Sequence, residues 1–368
     1  MIGTTADAGY PMRRWVFDDS AGRYDIDLGD SHVQCGMLRQ LEIPADLELG
    51  YGSDRGGERL RGLIAGLYGG SPESVLVTHG AQEALYLVYD VLLRPGDRVI
   101  TFRPGWQQSW DVPARKGCEV TVLDFGPGFT VDADAVEAAT GDDVRLIIVN
   151  TPCNPTGLQV RRRELVRLAE LAVRTDAYLV LDEEYSLDLA TSAAAGADRV
   201  LSVSGLSKVY GVPGLRVGWL YAPPALAAAC AQRKHLTTIS NSVLCEALAC
   251  DVLSRRSAYL DRYRGLTEPG LRQLTEWAEG HAGTLRLVPP DGTPFAWLEL
   301  TVGEPSMDFC RRVLDTGVLL MPAETLGGHD GVRICFAREP AVLAEGLRRI
   351  DLALRNTPHL QLDGAVDR

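Results

Sequence analysis

The sequence predicts an α/β fold: a mainly parallel sheet covered by helices, joined to a smaller α+β part. Three observations carry this. Between Gly56 and Tyr221, helix-spaced and strand-like segments alternate; the strand-like segments are short apolar runs closed by turn residues; and after about Pro224 the texture changes. Unbroken apolar runs are what strands buried on both faces look like. Their regular alternation with helices implies parallel pairing with helices on both sides of the sheet.

Taken in order, Leu60, Leu63, Ile64 and Leu67 share helical spacing, as do Leu85, Val88 and Leu92. Strands are expected at 75–78, 98–102, 119–123, 145–149, 178–181 and 199–203. Beyond Pro224 an Ala-rich helical stretch comes first, then strands at 285–288, 295–300 and 332–336 and a closing helix near 341–354. The expected division is a large domain at 46–225 and a small one assembled from 1–45 and 226–368. Residues 357–368 are expected to fray.

Composition narrows the function classes. With 368 residues, 46% hydrophobic and 23% charged, the chain is ordinary for a soluble globular protein. A net charge of −12 argues against a general nucleic-acid binder, though not against one local anion pocket. Cys35, Cys118, Cys153, Cys230, Cys245, Cys250, Cys310 and Cys335 are scattered with no Cys-x-x-Cys, which fits a reducing compartment better than disulfides or a zinc site. No metal is expected. Arg13, Arg14 and Asp18 interrupt the N-terminal stretch before any long apolar run, so neither a signal peptide nor a membrane span is read and a cytoplasmic location is expected.

The chemistry lies at strand ends. Lys208 follows the strand at 199–203, Asp182 closes the one at 178–181, and Asn154 and Trp106 follow those at 145–149 and 98–102. In an open parallel sheet ligands bind beyond the carboxyl ends of the strands, so an amine, a carboxylate, an amide and a flat aromatic would converge there. That set suits an aldehyde cofactor with a ring nitrogen, namely pyridoxal 5'-phosphate (PLP). A lysine can bind the aldehyde covalently, a carboxylate keeps the ring nitrogen protonated and electron-withdrawing, and Trp106 can stack on the ring. Tyr185 and Asn154 are in reach of the ring oxygen. THGAQEAL at 78–85 passes from strand to helix, where the backbone N–H groups of Ala81 and Gln82 would hold a phosphate, with Arg216 as a second anchor. Each piece also has a plainer reading: a capped turn, a core tryptophan, a solvated strand-end Asp, and Glu183 and Glu184 as partly solvated neighbours.

Together the pieces carry a resemblance. YGSDRG at 51–56, GAQEAL at 80–85, NPTG at 154–157, DEEY at 182–185, SK at 207–208, GLRVG at 214–218 and GVRICF at 331–336 resemble, in order, the motifs of class I/II aminotransferases, which are fold type I PLP-dependent enzymes. The resemblance implies Lys208 as the Schiff-base lysine, Asp182 at the ring nitrogen, Asn154 and Tyr185 at the ring oxygen and Trp106 as the stacking residue. It implies Arg333 as the clamp on the substrate α-carboxylate, with Asn154 beside it. Tyr51 would reach the phosphate of a neighbouring subunit, making a homodimer with shared active sites. Many relatives carry a hydroxyl residue three before the lysine; here that position is Gly205, leaving Ser204 and Ser207 as the candidates for that phosphate contact.

Such motifs do not choose the reaction. Transamination of an α-amino acid is the first expectation. The alternative is elimination, replacement or cyclisation in natural-product biosynthesis, because KVYGVPGLRVG at 208–218 is similar to ACC synthase-type enzymes and capreomycidine synthase, and residues 15–41 look more like the latter than like housekeeping transaminases. Asp30, Ser31 and His32 in that stretch are candidate substrate selectors. A PLP-binding regulator would carry a basic helix-turn-helix domain ahead of its PLP fold, which this acidic chain leaves no room for. A dinucleotide reading of GYGSDRG at 50–56 fails, since Arg55 breaks the fingerprint and no strand precedes it.

Overall fold

In the computed structural model, which describes residues 9–141, 143–301 and 303–355, the first elements are one helical turn, α1 (Pro11–Arg13), and a two-residue strand, β1 (Ile26–Asp27). The tail expected to fray lies outside the described residues. Helices α2 (Glu58–Tyr68), α3 (Ala81–Leu92), α4 (Gln108–Arg115), α5 (Ala133–Ala139) and α6 (Arg162–Arg174) then alternate with β2 (Val75–Thr78), β3 (Arg98–Arg103), β4 (Glu119–Asp124), β5 (Val144–Asn150), β6 (Tyr178–Asp182) and β7 (Val200–Gly205). All six expected strands form. A seventh, β8 (Gly218–Tyr221), joins them, and the sheet order is β2-β8-β7-β6-β5-β3-β4.

Every pairing is parallel except those of β8, which runs antiparallel to both β2 and β7. Reversed twice, β2 therefore points the same way as β7. The carboxyl ends of β2, β3, β5, β6 and β7 lie along one edge of the sheet, where ligands collect in such folds. The strands are buried on both faces: one core gathers Ile147, Leu179, Leu181 and Trp219, the other Leu146, Val180, Leu201 and Leu220.

The remaining elements are α7 (Pro224–Lys234), α8 (Val243–Ser254), the long α9 (Arg256–Glu279), β9 (Leu285–Val288), β10 (Phe295–Leu300), α10 (Ser306–Leu314), β11 (Val318–Leu319), β12 (Met321–Pro322), β13 (Gly331–Cys335) and α11 (Pro340–Arg355). A second, antiparallel sheet has the order β12-β13-β10-β9 and a core of its own, which includes Trp15, Ile26 and Leu28 from the N-terminal segment. Texture changes at Pro224, but packing changes later. Helix α7 lies on α3 and α8 on α2, and Leu260, Tyr263 and Leu266 of α9 still belong to the large-sheet core. Among the described residues no helix is long and apolar enough to cross a membrane.

The N-terminal segment is stitched into place. β1 pairs in parallel with β11, the indole N–H of Trp15 donates to the Leu320 carbonyl (2.8 Å), and the Cys335 N–H donates to the Leu28 carbonyl (2.7 Å). Further on, the Val33 N–H donates to the carbonyl of Lys208 (3.2 Å).

Candidate active site

Two cavities meet at the strand edge. The inner one, about 150 Å³, is lined by residues from five strand ends: Ala81 and Gln82 after β2, Trp106 after β3, Asn150 and Asn154 at and after β5, Asp182 and Tyr185 at β6, and Ser207, Lys208 and Arg216 around the β7–β8 connection. The outer one, about 600 Å³, shares Trp106 and Lys208 with it and adds Arg333 and the N-terminal segment. Most of the residues singled out from sequence therefore do converge.

Asp182 sits at the buried end of β6, 8% exposed, and among the described residues its carboxylate accepts only from the Glu184 N–H (3.3 Å). Burial and the neighbouring Glu184 charge push its pKa up to about 7; a carboxylate without a cation is costly in such a place. The peptide around it is fixed by Asn150, whose side-chain amide donates to the Asp182 carbonyl (2.9 Å). Burial opposes a charge on Lys208, but Tyr185, Glu184 and Asp30 outweigh it and its pKa is raised. Its amine donates to the Ser31 hydroxyl (2.9 Å), which also bonds the Tyr185 phenol. Tyr185 is 3% exposed and packs edge-on against Phe295, with ring centroids 5.0 Å apart.

At the other end of the inner cavity, α3 begins at Ala81 with Gly80 as its N-cap and no side chain capping it. Its first N–H groups are thus free of local acceptors, the requirement for an anion site. Gly80 has a φ of 77°, and a Cβ there would run into the Arg216 guanidinium. Arg216 is held by the carbonyls of Pro213 (3.1 Å) and His79 (3.4 Å) beside that helix start. Gly205 has a reason too: a Cβ would sit 3.1 Å from both the Val217 carbonyl and Glu184 Oε1, tighter than ordinary contact, so a side chain there would crowd the β7–β8 pairing.

Several sequence expectations need correction. Ser204 lies outside the cavity; its hydroxyl donates to the Glu183 carbonyl (3.2 Å) on the opposite face. Glu183 is not solvated but 5% exposed, bonded by Ser192 (2.7 Å) and Ser202, and burial pushes its pKa up to about 7. Glu184 lines the inner cavity. His32 is not part of either lining: one ring nitrogen faces the Val33 carbonyl (2.8 Å) and the other pairs with Asp30. Tyr51 is far more exposed than any other site candidate, at 92%.

In the outer cavity Arg333 is 3% exposed. It donates to the Asn154 side-chain oxygen (2.6 Å) and to the Gly29 carbonyl (2.6 Å), and its Nε has no partner among the described residues. No carboxylate is paired with it there, so a buried guanidinium retains donors facing a cavity. Trp106 is oriented by its indole N–H, which donates to the Gln82 side-chain oxygen (2.8 Å).

The family model for aminotransferase class I and II matches residues 20–350. The chain belongs to the class I and II aminotransferase family. Capreomycidine synthase from Streptomyces vinaceus is 33% identical over 367 residues, covering 95% of this chain and 94% of that protein. Among solved structures, a PLP-dependent aminotransferase from Streptococcus suis aligns with a TM-score of 0.88 at 28% identity, covering 94% of this chain and 97% of that one. The PLP-dependent cyclase OrfR aligns with a TM-score of 0.87 at 29% identity, with the same coverage of each.

For an aminotransferase-family chain the cofactor is PLP, and the inner cavity fits it by its own chemistry. A buried carboxylate with no ion-pair partner among the described residues lies at one end, and an uncapped helix start with a guanidinium lies at the other. Lys208 and the Trp106 ring are in the same lining. Sequence reading missed Asn150, Glu184 and the Gln107–Gln108 pair. Asn150 was the one that could have been found, since an Asn closing an apolar strand is itself a strand-end signal.

Proposed function

We propose that this protein is a PLP-dependent enzyme acting at Cα of an α-amino acid, with Lys208 as the lysine that holds the cofactor and then moves the Cα proton. One observation carries the reading: the Lys208 amine lies where the two cavities meet, with an acid and anion donors in the inner one and, in the outer, a guanidinium paired with no carboxylate among the described residues. When bound, PLP withdraws electrons from Cα through its protonated ring. Asp182 balances the charge of the ring nitrogen, Tyr185 and Asn154 bond the ring oxygen, and Trp106 stacks on the ring. Ala81, Gln82, Ser207 and Arg216 hold the phosphate. Arg333 takes the substrate α-carboxylate through bidentate hydrogen bonds. The exposure of Tyr51 supports a homodimer in which that phenol reaches the partner's phosphate.

Gly80→Ala drives a methyl group into the Arg216 guanidinium at a positive φ. It should weaken PLP affinity by about tenfold or more, read by absorbance titration; unchanged affinity removes Arg216 from the phosphate site.

Transamination is the reaction supported by the family. A second reading, elimination, replacement or cyclisation within the side chain, is favoured by the N-terminal segment: it sets Ser31 on the Lys208 amine and Asp30 in the outer cavity, and the similarity to capreomycidine synthase runs through it. Incubating the holoenzyme with single amino acids and S-adenosylmethionine separates the two. Conversion of the cofactor to its amine form with release of a keto acid marks transamination. A cyclised or shortened amino acid with the cofactor regenerated marks the second.

A further inference from the structure

The outer cavity is biased in a way that neither reaction requires. Apart from Arg333, Lys208 and Arg13, the last of which is exposed and paired with Asp18 (2.7 Å), its strongly polar lining consists largely of hydrogen-bond acceptors. Asp27 uses Oδ1 to accept from the N–H groups of Gly29 (2.9 Å) and Asp30 (3.0 Å), and its Oδ2 makes no hydrogen bond among the described residues. Arg338 bonds the backbone carbonyl of Asp27 (3.0 Å), not its carboxylate. Asp30 accepts from the Ser31 N–H (3.0 Å) and from His32. Burial works against its ionisation, but His32 prevails and holds its pKa below the usual carboxylate range. Asp30 is thus held ionised as the partner of His32, whose own pKa is pushed up to about 9.

The start of α4 also borders this cavity. Gln107 is 9% exposed, and its amide nitrogen donates to Asp111 Oδ2 (2.6 Å). A carboxylate only accepts, so the Gln107 amide cannot turn over, and its oxygen is left without a partner although the residue lines this cavity. The side-chain oxygen of Gln108, in the same lining, is also unpartnered. Both oxygens are fully buried, so these glutamines border the cavity without presenting an acceptor to it.

We infer that the outer cavity selects α-amino acids whose side chain ends in a cationic nitrogen group, an ammonium or a guanidinium. This rests on the reading of Arg333 as the α-carboxylate site. Such a group brings several N–H donors and positive charge to Asp27 and Asp30, while its aliphatic stem packs on Tyr24, Phe17 and Met12. A carboxylate side chain would meet like charge there, and an apolar one would leave the acceptors unsatisfied.

The test is a titration of the PLP-loaded protein with L-arginine, L-lysine, L-norleucine and L-glutamate, following the cofactor absorbance. Arginine and lysine should bind about tenfold or more tighter than norleucine, and glutamate weakest. In Asp27→Asn the side-chain oxygen can still accept from Gly29 and Asp30, so the turn is kept, and the arginine-to-norleucine preference should shrink about fivefold or more. Asp30→Asn gives a second reading of the same ratio. Equal binding of norleucine and arginine by the wild type, or an unchanged ratio in both variants, overturns the inference while leaving the amino-acid site intact. If none of the four amino acids perturbs the cofactor, the substrate-site reading itself fails and the inference falls with it.

Discussion

Lys208→Ala should abolish turnover and remove the visible absorption of the lysine-bound cofactor from the purified protein. The expectation follows from position. The amine is the only lysine nitrogen in either cavity lining, and it is aimed by Ser31 and surrounded by Tyr185, Glu184 and Asp30. Two functions are lost at once: the covalent hold on the aldehyde and the base that takes the Cα proton, whose removal alone is worth about 10²–10⁴ in rate. Exchange of the substrate Cα proton with deuterated water, followed by NMR, measures the second without depending on the first. A variant that keeps both the band and the exchange would end the assignment. Unchanged circular dichroism would show that the loss is chemical and not a failure to fold.

Asp182→Ala should separate binding from chemistry. The phosphate anchors and Trp106 belong to other strands, so PLP should still bind, more weakly. Cα exchange should fall by about a hundredfold or more, the usual scale for removing a preorganised charge that stabilises a transition state. The carboxylate is buried and makes no ion pair among the described residues, and burial and Glu184 push its pKa up against the weaker pull of Lys208. A protonated ring nitrogen is the partner that would restore its charge. Asp182→Asn is the sharper control: it preserves the shape and one acceptor while removing the charge. Exchange retained in both variants would assign Asp182 a structural role.

Much of this was legible in the sequence because buried parallel strands leave contiguous apolar runs, and the residues that follow those runs must lie along one edge. Lys208, Asp182, Asn154 and Trp106 were found by that rule alone. What escaped it depends on which way a side chain points or on distant contacts. Ser204 shares a strand face with Ser202 by the two-residue alternation of β7, and Ser202 faces Tyr68 (2.8 Å) in the core; applying the period would have turned Ser204 away from the ligand. Glu183 looked like a solvated carboxylate because local sequence does not reveal the hydroxyls of Ser192 and Ser202 that surround it. The short strand β8 begins at Gly218 and carries no long apolar run, so nothing local announced it. The packing of α7 on α3 and β2, and of α8 on α2, was hidden for the same reason: helical texture does not say which neighbour.

The tethering of the N-terminal segment has a mechanical consequence. One stretch of backbone is anchored to β11 and, through Leu28, to β13 of the smaller sheet, and a few residues later to the Lys208 carbonyl through Val33. It spans the seam like the strap of a hinge. Any rocking of the smaller sheet would carry Asp27 and Arg333 together while the lysine stayed with the larger one, so both ends of a gripped amino acid would swing as a unit over a stationary base.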